Sequence, residues 1–262
     1  MPTRLVTRCG PIARGLLIVL VSTGSVLPGQ ALAIDADSTW FSGWSQRYTQ
    51  LQAYEKTPAP KLEDAAKREV ISWLNREADF AAHHYQSTGK GLDESYGDYY
   101  IDLTLFVVQL KDARSIGALT KVTDVAPRVS TTLAEFGELA VEPVLAQLGD
   151  PLLRDSTVYT LGKFIEGNGN GHCHLGEASI GKIRQALLAA VLDREPAIRT
   201  SAAGALKYFR GDAEVIRTLR QLALADEYVG GRDSKTGEWT YPVREAAAAA
   251  LDEIDKAHAR TQ

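Results

Sequence analysis

The sequence predicts an all-α fold, an α-solenoid of about four helical hairpins preceded by an N-terminal helical cap. Three segments of the 262-residue chain line up without gaps around Arg154, Arg199 and Arg244, at a constant period of 45 residues. Around each arginine, apolar residues recur at the spacing of an amphipathic helix. A period of this length is typical of stacked helical repeats, because a single helix pair cannot bury its apolar face alone.

Residues 1–33 have the pattern of a secretory signal peptide. Arg4, Arg8 and Arg14 form a positive start, and the apolar run 15–27 follows them. This run is shorter than the roughly 20 apolar residues that span a bilayer. A small-x-small pattern then predicts cleavage after Ala33 and export to the periplasm or the medium. A short N-terminal membrane anchor is the alternative, and no integral membrane segment is predicted after cleavage.

The composition is that of an ordinary folded protein, with 45% hydrophobic and 24% charged residues and a net charge of −4. Cleavage would remove three arginines and no acidic residue, which changes the net charge to −7. We therefore expect no nucleic-acid partner, because that role needs clustered positive charge. The acidity slightly favours a basic protein partner. Cys173 would remain the sole cysteine after cleavage, so packing rather than a disulfide must hold the chain together.

Residues 34–95, the cap region, are predicted to form non-repetitive helices. One helix has an aromatic face that recurs every three or four residues, made of Trp40, Trp44, Tyr48 and Leu51. A second follows the break at 57–60, with its apolar face made of Leu62, Ala66, Val70, Trp73 and Leu74. Both faces are expected to cover the open end of the first repeat. An exposed aromatic patch for a partner is the alternative.

Residues 96–262, the repeat region, are predicted to alternate two kinds of helix. The arginine-bearing helices begin near Pro151 and Pro196, where proline suits the first helical turn. The second helices have apolar faces formed by Val141, Val144, Leu145 and Leu148, by Ile183, Ala186, Leu187 and Val191, and by Val215, Ile216, Leu219 and Leu222. Insertions are expected at 166–178 and 227–240.

The first repeat is predicted to be shorter than the others. Residues 112–119 read as a short copy of the arginine-bearing helix, and a partner helix follows with Val129, Leu133 and Phe136 on its apolar face. The apolar stretch 101–110 would supply a leading half-repeat.

These units resemble HEAT-like repeats of the phycobilisome-lyase type, through the strings Val243–Leu251 and Asp150–Arg154. The resemblance implies stacked hairpins that present a surface to a partner. It also implies that the repeated arginine pairs with acidic residues near helix starts and ties one unit to the next. Asp150 and Glu195 stand four residues before their arginines, whereas Thr240 breaks the pattern. An arginine stripe open to an anionic ligand is the alternative.

Two activities found among such proteins, bilin attachment and repair of alkylated DNA, take place in the cytoplasm. The signal peptide counts against both, and the acidic charge counts against the second.

The run Gly167–His174 is the most unusual stretch, because it joins glycines and asparagines to His172, Cys173 and His174. Imidazole and thiolate are metal ligands, so these three residues are candidates for a metal or redox site. A flexible loop is the alternative, since three consecutive residues rarely all reach one ion. The stretch 230–237 lacks the glycine that precedes the lysine of a phosphate loop, and is predicted to be a turn or small hairpin ending at Trp239.

No hydrolase, zinc-protease or dinucleotide motif is present in the sequence, so neither catalytic residues nor a cofactor are predicted. We therefore expect an exported, non-catalytic interaction or scaffold module. Its recognition surface would be the concave side, lined by the second helix of each pair, together with the two insertions. The alternatives are a metal- or thiol-dependent activity at 172–174, and an inhibitor or immunity protein for another exported protein.

Overall fold

The computed structural model describes residues 40–259, which are helical apart from their connections and one small hairpin, as the all-α prediction requires. The α-helices are α1 Trp44–Tyr54, α2 Asp64–Thr88, α3 Glu94–Leu110, α4 Ile116–Leu119, α5 Pro127–Glu135, α6 Glu138–Ala146, α7 Arg154–Gly169, α8 Glu177–Ala190, α9 Pro196–Leu206, α10 Ala213–Ala225 and α11 Pro242–Ala259. Short 3-10 turns cover Ala59–Lys61, Ala113–Ser115, Thr120–Val122 and Gln147–Gly149. The predicted signal peptide lies outside the described residues.

The cap region packs on α3. Helices α1 and α2 both contact α3, and α2 also contacts α4. Helix α2 ends at Gly89, whose positive φ of 65° suits a residue without a side chain. Helix α3 begins where the Asp93 carboxylate accepts a hydrogen bond of 3.0 Å from the Tyr96 N–H. The predicted boundary between the cap region and the repeat region, at residues 95 and 96, falls inside α3. One continuous apolar core extends from Leu51 to Ile254 across both regions.

The repeat region contains a row of helices that pack side by side. Helix α5 packs on α7, α7 on α9 and α9 on α11, while α6, α8 and α10 lie against members of this row. Between α5 and α7, the buried hydroxyls of Ser130 and Thr160 are 2.8 Å apart. Between α7 and α9, a Cβ added to Gly162 would lie 2.9 Å from the Cβ of Ala205. These two helices approach so closely because Gly162 has no side chain.

The prediction for the first repeat is wrong in register. Helix α5, not the segment 112–119, lies in the row with the arginine-bearing helices. The segment cannot form a long helix, because Lys111 adopts a positive φ of 48° and the Asp112 carboxylate accepts the Arg114 N–H at 3.0 Å. These contacts start a 3-10 turn, and the four-residue α4 that follows packs on α2.

Two boundaries also differ from the prediction. Helix α7 begins at Arg154, after Pro151, because the Asp150 carboxylate accepts the Leu152 N–H at 2.9 Å and holds 151–153 in a turn. Pro196, by contrast, is the first residue of α9, as predicted. Helix α7 then continues to Gly169, so the first four residues of the insertion predicted at 166–178 are helical.

The second insertion forms the predicted hairpin. Strand β1, Gly231–Arg232, pairs antiparallel with β2, Trp239–Thr240, in the register Gly231 to Thr240 and Arg232 to Trp239. The Asp233 carboxylate accepts the Lys235 and Thr236 N–H groups, both at 2.8 Å, and so closes the turn. None of the described helices has a stretch both long and apolar enough to span a bilayer.

Candidate functional site

The three repeated arginines lie along the connections between successive units. Arg154, at the start of α7, donates from Nε to the Leu148 carbonyl at 2.9 Å. Its Nη1 is 3.4 Å from the Asp193 carboxylate, in the connection between α8 and α9. Arg154 therefore joins the connection before α7 to the connection before α9.

Arg199 makes the largest set of contacts. Its Nη1 donates to the carbonyls of Asp193 and Arg194, at 2.9 and 3.0 Å. Its Nε and Nη2 donate to the two oxygens of the Asp226 carboxylate, at 2.8 and 3.1 Å. Because both ends of this bidentate pair are largely buried, Arg199 fixes the connection after α10 against the connection before α9.

Arg244 completes the series. Its Nε donates to the Asp226 carbonyl, and its guanidinium lies 4.7 Å from the centre of the Tyr241 ring. The carboxylates that pair with Arg154 and Arg199 are thus Asp193 and Asp226, which follow them in the chain, and not Asp150 or Glu195, whereas Arg244 contacts the carbonyl of the preceding Asp226. Since protein groups already accept these guanidinium N–H donors, the geometry does not favour an anion-binding stripe.

Large apolar side chains are exposed on and beside these connections. Leu152, Leu192 and Leu224 each stand within two residues of Asp150, Asp193 or Asp226. Their side chains are 40%, 80% and 80% exposed. Further exposed apolar residues follow in the connection to the hairpin and in β2. We call this surface the apolar edge, formed by Leu152, Leu192, Leu224, Tyr228, Val229 and Trp239.

The loop 170–176 separates the three candidate metal ligands. Cys173 is buried, with its Sγ donating to the Phe164 carbonyl at 3.5 Å, and burial raises the pKa of its thiol. His172 and His174 are exposed. Within residues 40–259, no group of three or more His, Cys, Asp or Glu side chains could hold a metal ion. The structure thus does not bring the candidate ligands together, and it keeps the thiol protonated and covered.

The backbone of the same loop closes the end of α7. The N–H groups of His172 and Cys173 donate to the Gly167 carbonyl at 2.8 and 3.3 Å. Gly171 takes the positive φ, 73°, that this return of the chain requires. The Asn168 side chain also supports this turn, since its Oδ1 accepts the Leu175 N–H at 3.0 Å.

A buried polar cluster between the cap region and α3 was missed by the sequence analysis. The Glu77 carboxylate, fully buried, accepts from Arg47 Nη2 at 2.6 Å and from the Tyr99 hydroxyl at 3.1 Å. The Tyr96 hydroxyl donates to its second oxygen. The guanidinium of Arg47 lies 3.8 Å from the centre of the Trp40 ring. We call Trp40, Arg47, Glu77, Tyr96 and Tyr99 the cap cluster.

The tyrosines of the cap cluster are hydrogen-bond donors. Burial, and then the charge of Glu77, raise the pKa of Tyr96 and of Tyr99 far above the usual range for tyrosine. Both hydroxyls therefore stay protonated and satisfy the carboxylate. The sequence signalled the aromatic residues by their spacing, but no pattern linked Arg47 to Glu77, 30 residues away.

Comparisons with protein-family models and with curated proteins found no match to this chain. The HEAT-like resemblance therefore stays an expectation drawn from the residues quoted for it.

Proposed function

We propose that this chain is an exported, non-catalytic interaction module that binds a partner protein through its apolar edge. The observation that carries the proposal is the exposure of Leu152 and Leu192 on successive inter-unit connections and of Leu224 in the last turn of α10, beside the next connection. A single exposed leucine needs no explanation. Several large apolar residues aligned on one edge are typical of a surface that another protein covers.

The arginine contacts support this role because they hold the edge in place. Leu192 directly precedes Asp193, whose carbonyl accepts from Arg199, and Leu224 stands two residues before Asp226. A connection fixed in this way loses less conformational entropy when a partner binds. The row formed by α5, α7, α9 and α11 supports the proposed solenoid of HEAT-like hairpins.

The predicted recognition surface was the concave side with the two insertions, and the proposal now places binding on the apolar edge and the hairpin at its end. An inhibitor or immunity protein would use the same edge. A thiol- or metal-dependent activity at 172–174 gains no support, because Cys173 is buried while His172 and His174 face away from it into solvent.

The proposal is tested by capturing partners from the exported fraction of the source cells with the immobilised mature chain. The double variant Leu192→Asp/Leu224→Asp introduces two charges into the apolar edge. Burying one leucine contributes about 1.5–3 kcal/mol, so we expect the double variant to bind a captured partner at least about tenfold more weakly.

Leu139→Asp is the matched control, because Leu139 is 67% exposed but stands at the start of α6, away from these connections. We expect this control to bind as the wild type does, with all three proteins unfolding at similar temperatures. Equal binding by the wild type and the double variant would exclude the apolar edge as the binding surface.

Export is tested separately. We expect protein recovered outside the cytoplasm to begin at residue 34, as measured by mass spectrometry of its N-terminal peptide. A chain that retains Met1 and stays in the cytoplasm would contradict the export proposal.

A further inference from the structure

A second surface lies on the row of helices that begins with α5. A groove of about 300 Å³ runs between α5 and α7, lined by Arg128, Thr131, Thr132, Glu135, Tyr159 and Lys163. We call it the α5–α7 groove. The apolar edge, by contrast, lies on the connections at the ends of the helices, so the two surfaces have no residue in common.

The acidic side chains around this groove are already paired. Glu135 binds Lys111 at 2.9 Å, and Glu166 binds Lys163 at 2.7 Å. Asp155, one turn before Tyr159, accepts the Ser201 hydroxyl at 2.6 Å. These contacts leave the carboxylates engaged with groups of the protein itself.

One cation of the groove, in contrast, has no carboxylate partner within residues 40–259. Arg128 is exposed at the start of α5 and makes neither a hydrogen bond nor an ion pair there. Lys207, just after α9, lies outside the lining, where its charge acts on Glu166 and its Nζ lies 5.2 Å from the centre of the Tyr208 ring. The lining thus carries two cations, Arg128 and Lys163, against one carboxylate, Glu135, on a chain whose net charge is −4.

Aromatic rings complete this surface. Tyr159 is 42% exposed, and the Nζ of Lys163 is 5.3 Å from its ring centre. Burial, and then the charge of the nearby Glu166 carboxylate, raise the pKa of Tyr208 to about 12. Exposed tyrosine beside arginine is the composition that contributes most to binding energy at protein interfaces.

We propose that the α5–α7 groove binds an acidic segment of a polypeptide, with a carboxylate held by Arg128 and a neighbouring side chain against Tyr159. A guanidinium without a partner can bind a carboxylate through two parallel hydrogen bonds. The net charge of the whole chain favours basic partners, whereas the unpaired Arg128 favours an acidic ligand at this groove. The inference goes beyond the proposed function, because it adds a second surface with its own ligand.

The test measures fluorescence anisotropy of a labelled deca-glutamate peptide, with a neutral glycine–serine decapeptide as the reference probe. We expect the acidic peptide to bind and the neutral one not to bind. Arg128→Glu should weaken binding by about tenfold, the effect of reversing a charge in a close pair. Binding should also weaken as salt is raised, because this surface is exposed.

The matched control is Arg220→Glu, which makes the same charge change at an exposed arginine of α10. It should leave the affinity for the acidic peptide within about twofold of the wild-type value.

Tyr159→Ala is the second test variant, and it should weaken binding of the acidic peptide while changing no charge. The proposal is overturned if deca-glutamate does not bind, or if Arg220→Glu weakens binding as much as Arg128→Glu does. The Leu192→Asp/Leu224→Asp variant should bind the peptide normally, so a failure of either proposal is distinguishable from a failure of the other.

Discussion

Two ion-paired arginines, Arg47 in the cap cluster and Arg199 in the repeat region, show how differently these regions are held together. Arg47 faces a carboxylate that is 0% exposed, among tyrosines and the Trp40 ring. Arg199 is 15% exposed and divides its donors between backbone carbonyls and the Asp226 carboxylate. In the first pair the carboxylate is fully buried and the guanidinium is 10% exposed, whereas in the second pair the carboxylate is 7% and the guanidinium 15% exposed.

The difference matters because solvent sets the energy of a charged contact. A buried carboxylate that loses its partner keeps the full cost of desolvation, whereas a surface charge is stabilised again by water. The cap region is therefore joined to α3 by contacts that are costly to break one at a time. The repeat region relies on its continuous apolar core, with the arginines fixing the connections.

The largest effect is expected at Glu77. Glu77→Ala leaves Arg47 largely buried without its carboxylate, so we expect the free energy of unfolding to fall by about 3–5 kcal/mol. Urea unfolding followed by circular dichroism measures this change. Because two apolar residues can replace a buried pair, Arg47→Met/Glu77→Leu should be less destabilised than Glu77→Ala.

Asp79→Ala is the matched control for that experiment. Asp79 lies on the same helix and also forms an ion pair, 2.7 Å from Lys121, but it is 60% exposed. Its loss should cost less than about 1 kcal/mol. If Asp79→Ala and Glu77→Ala destabilise equally, the contrast between the two regions is wrong.

A smaller effect is expected at Arg199. Arg199→Met removes hydrogen bonds to two carbonyls and one carboxylate, and we expect a loss of about 2 kcal/mol. Arg194→Met, at an exposed position in the same connection, should change stability by less than about 0.5 kcal/mol. If Arg199→Met lowers the free energy of unfolding as much as Glu77→Ala does, the connections are as important to the repeat region as the buried pair is to the cap region, and the contrast drawn above is wrong.

The smallest effect is a pH dependence at Asp212, the residue that caps α10. A hydrogen bond from Arg184 lowers the pKa of Asp212 to about 2, whereas the unfolded value is about 3.9. A depressed carboxyl pKa contributes stability above pH 4 that is lost as pH falls towards 2. Arg184→Gln should therefore lose less stability than the wild type does between pH 4 and pH 2, as measured by thermal unfolding.

Lys182→Gln provides the comparison for that measurement. Lys182 pairs with Glu142 between α6 and α8, and both side chains are more than half exposed. We expect the unfolding temperature of this variant to match that of the wild type, with the same pH dependence. An acid profile that changes as much in Lys182→Gln as in Arg184→Gln would remove the role assigned to Asp212.

Much of the fold followed from local spacing. The all-α class, the apolar faces of α8 and α10 and the hairpin near Trp239 depend on residues a few positions apart, and the structure contains all of them. The segment 112–119 was wrongly predicted to be an arginine-bearing helix, because Arg114 stands before an apolar stretch as the repeated arginines do. Its partners are Asp112 and Asp64, so it belongs to the contact with the cap region.

The candidate site was harder to predict, because it depends on which connections meet. The sequence showed that Arg154, Arg199 and Arg244 are equivalent, but it pointed to Asp150 and Glu195 as their acidic partners. The resemblance to HEAT-like repeats and the signal peptide remain predictions.

The sequence by itself determined the helices, their apolar faces and the 45-residue period, because these depend on the spacing of residues along one stretch of chain. Only the tertiary structure decided that Arg47 meets Glu77, that Cys173 is buried against Phe164 and that Asp193 and Asp226 reach Arg154 and Arg199. Such contacts join residues that are distant in sequence, and the path of the chain in space fixes which of them become neighbours.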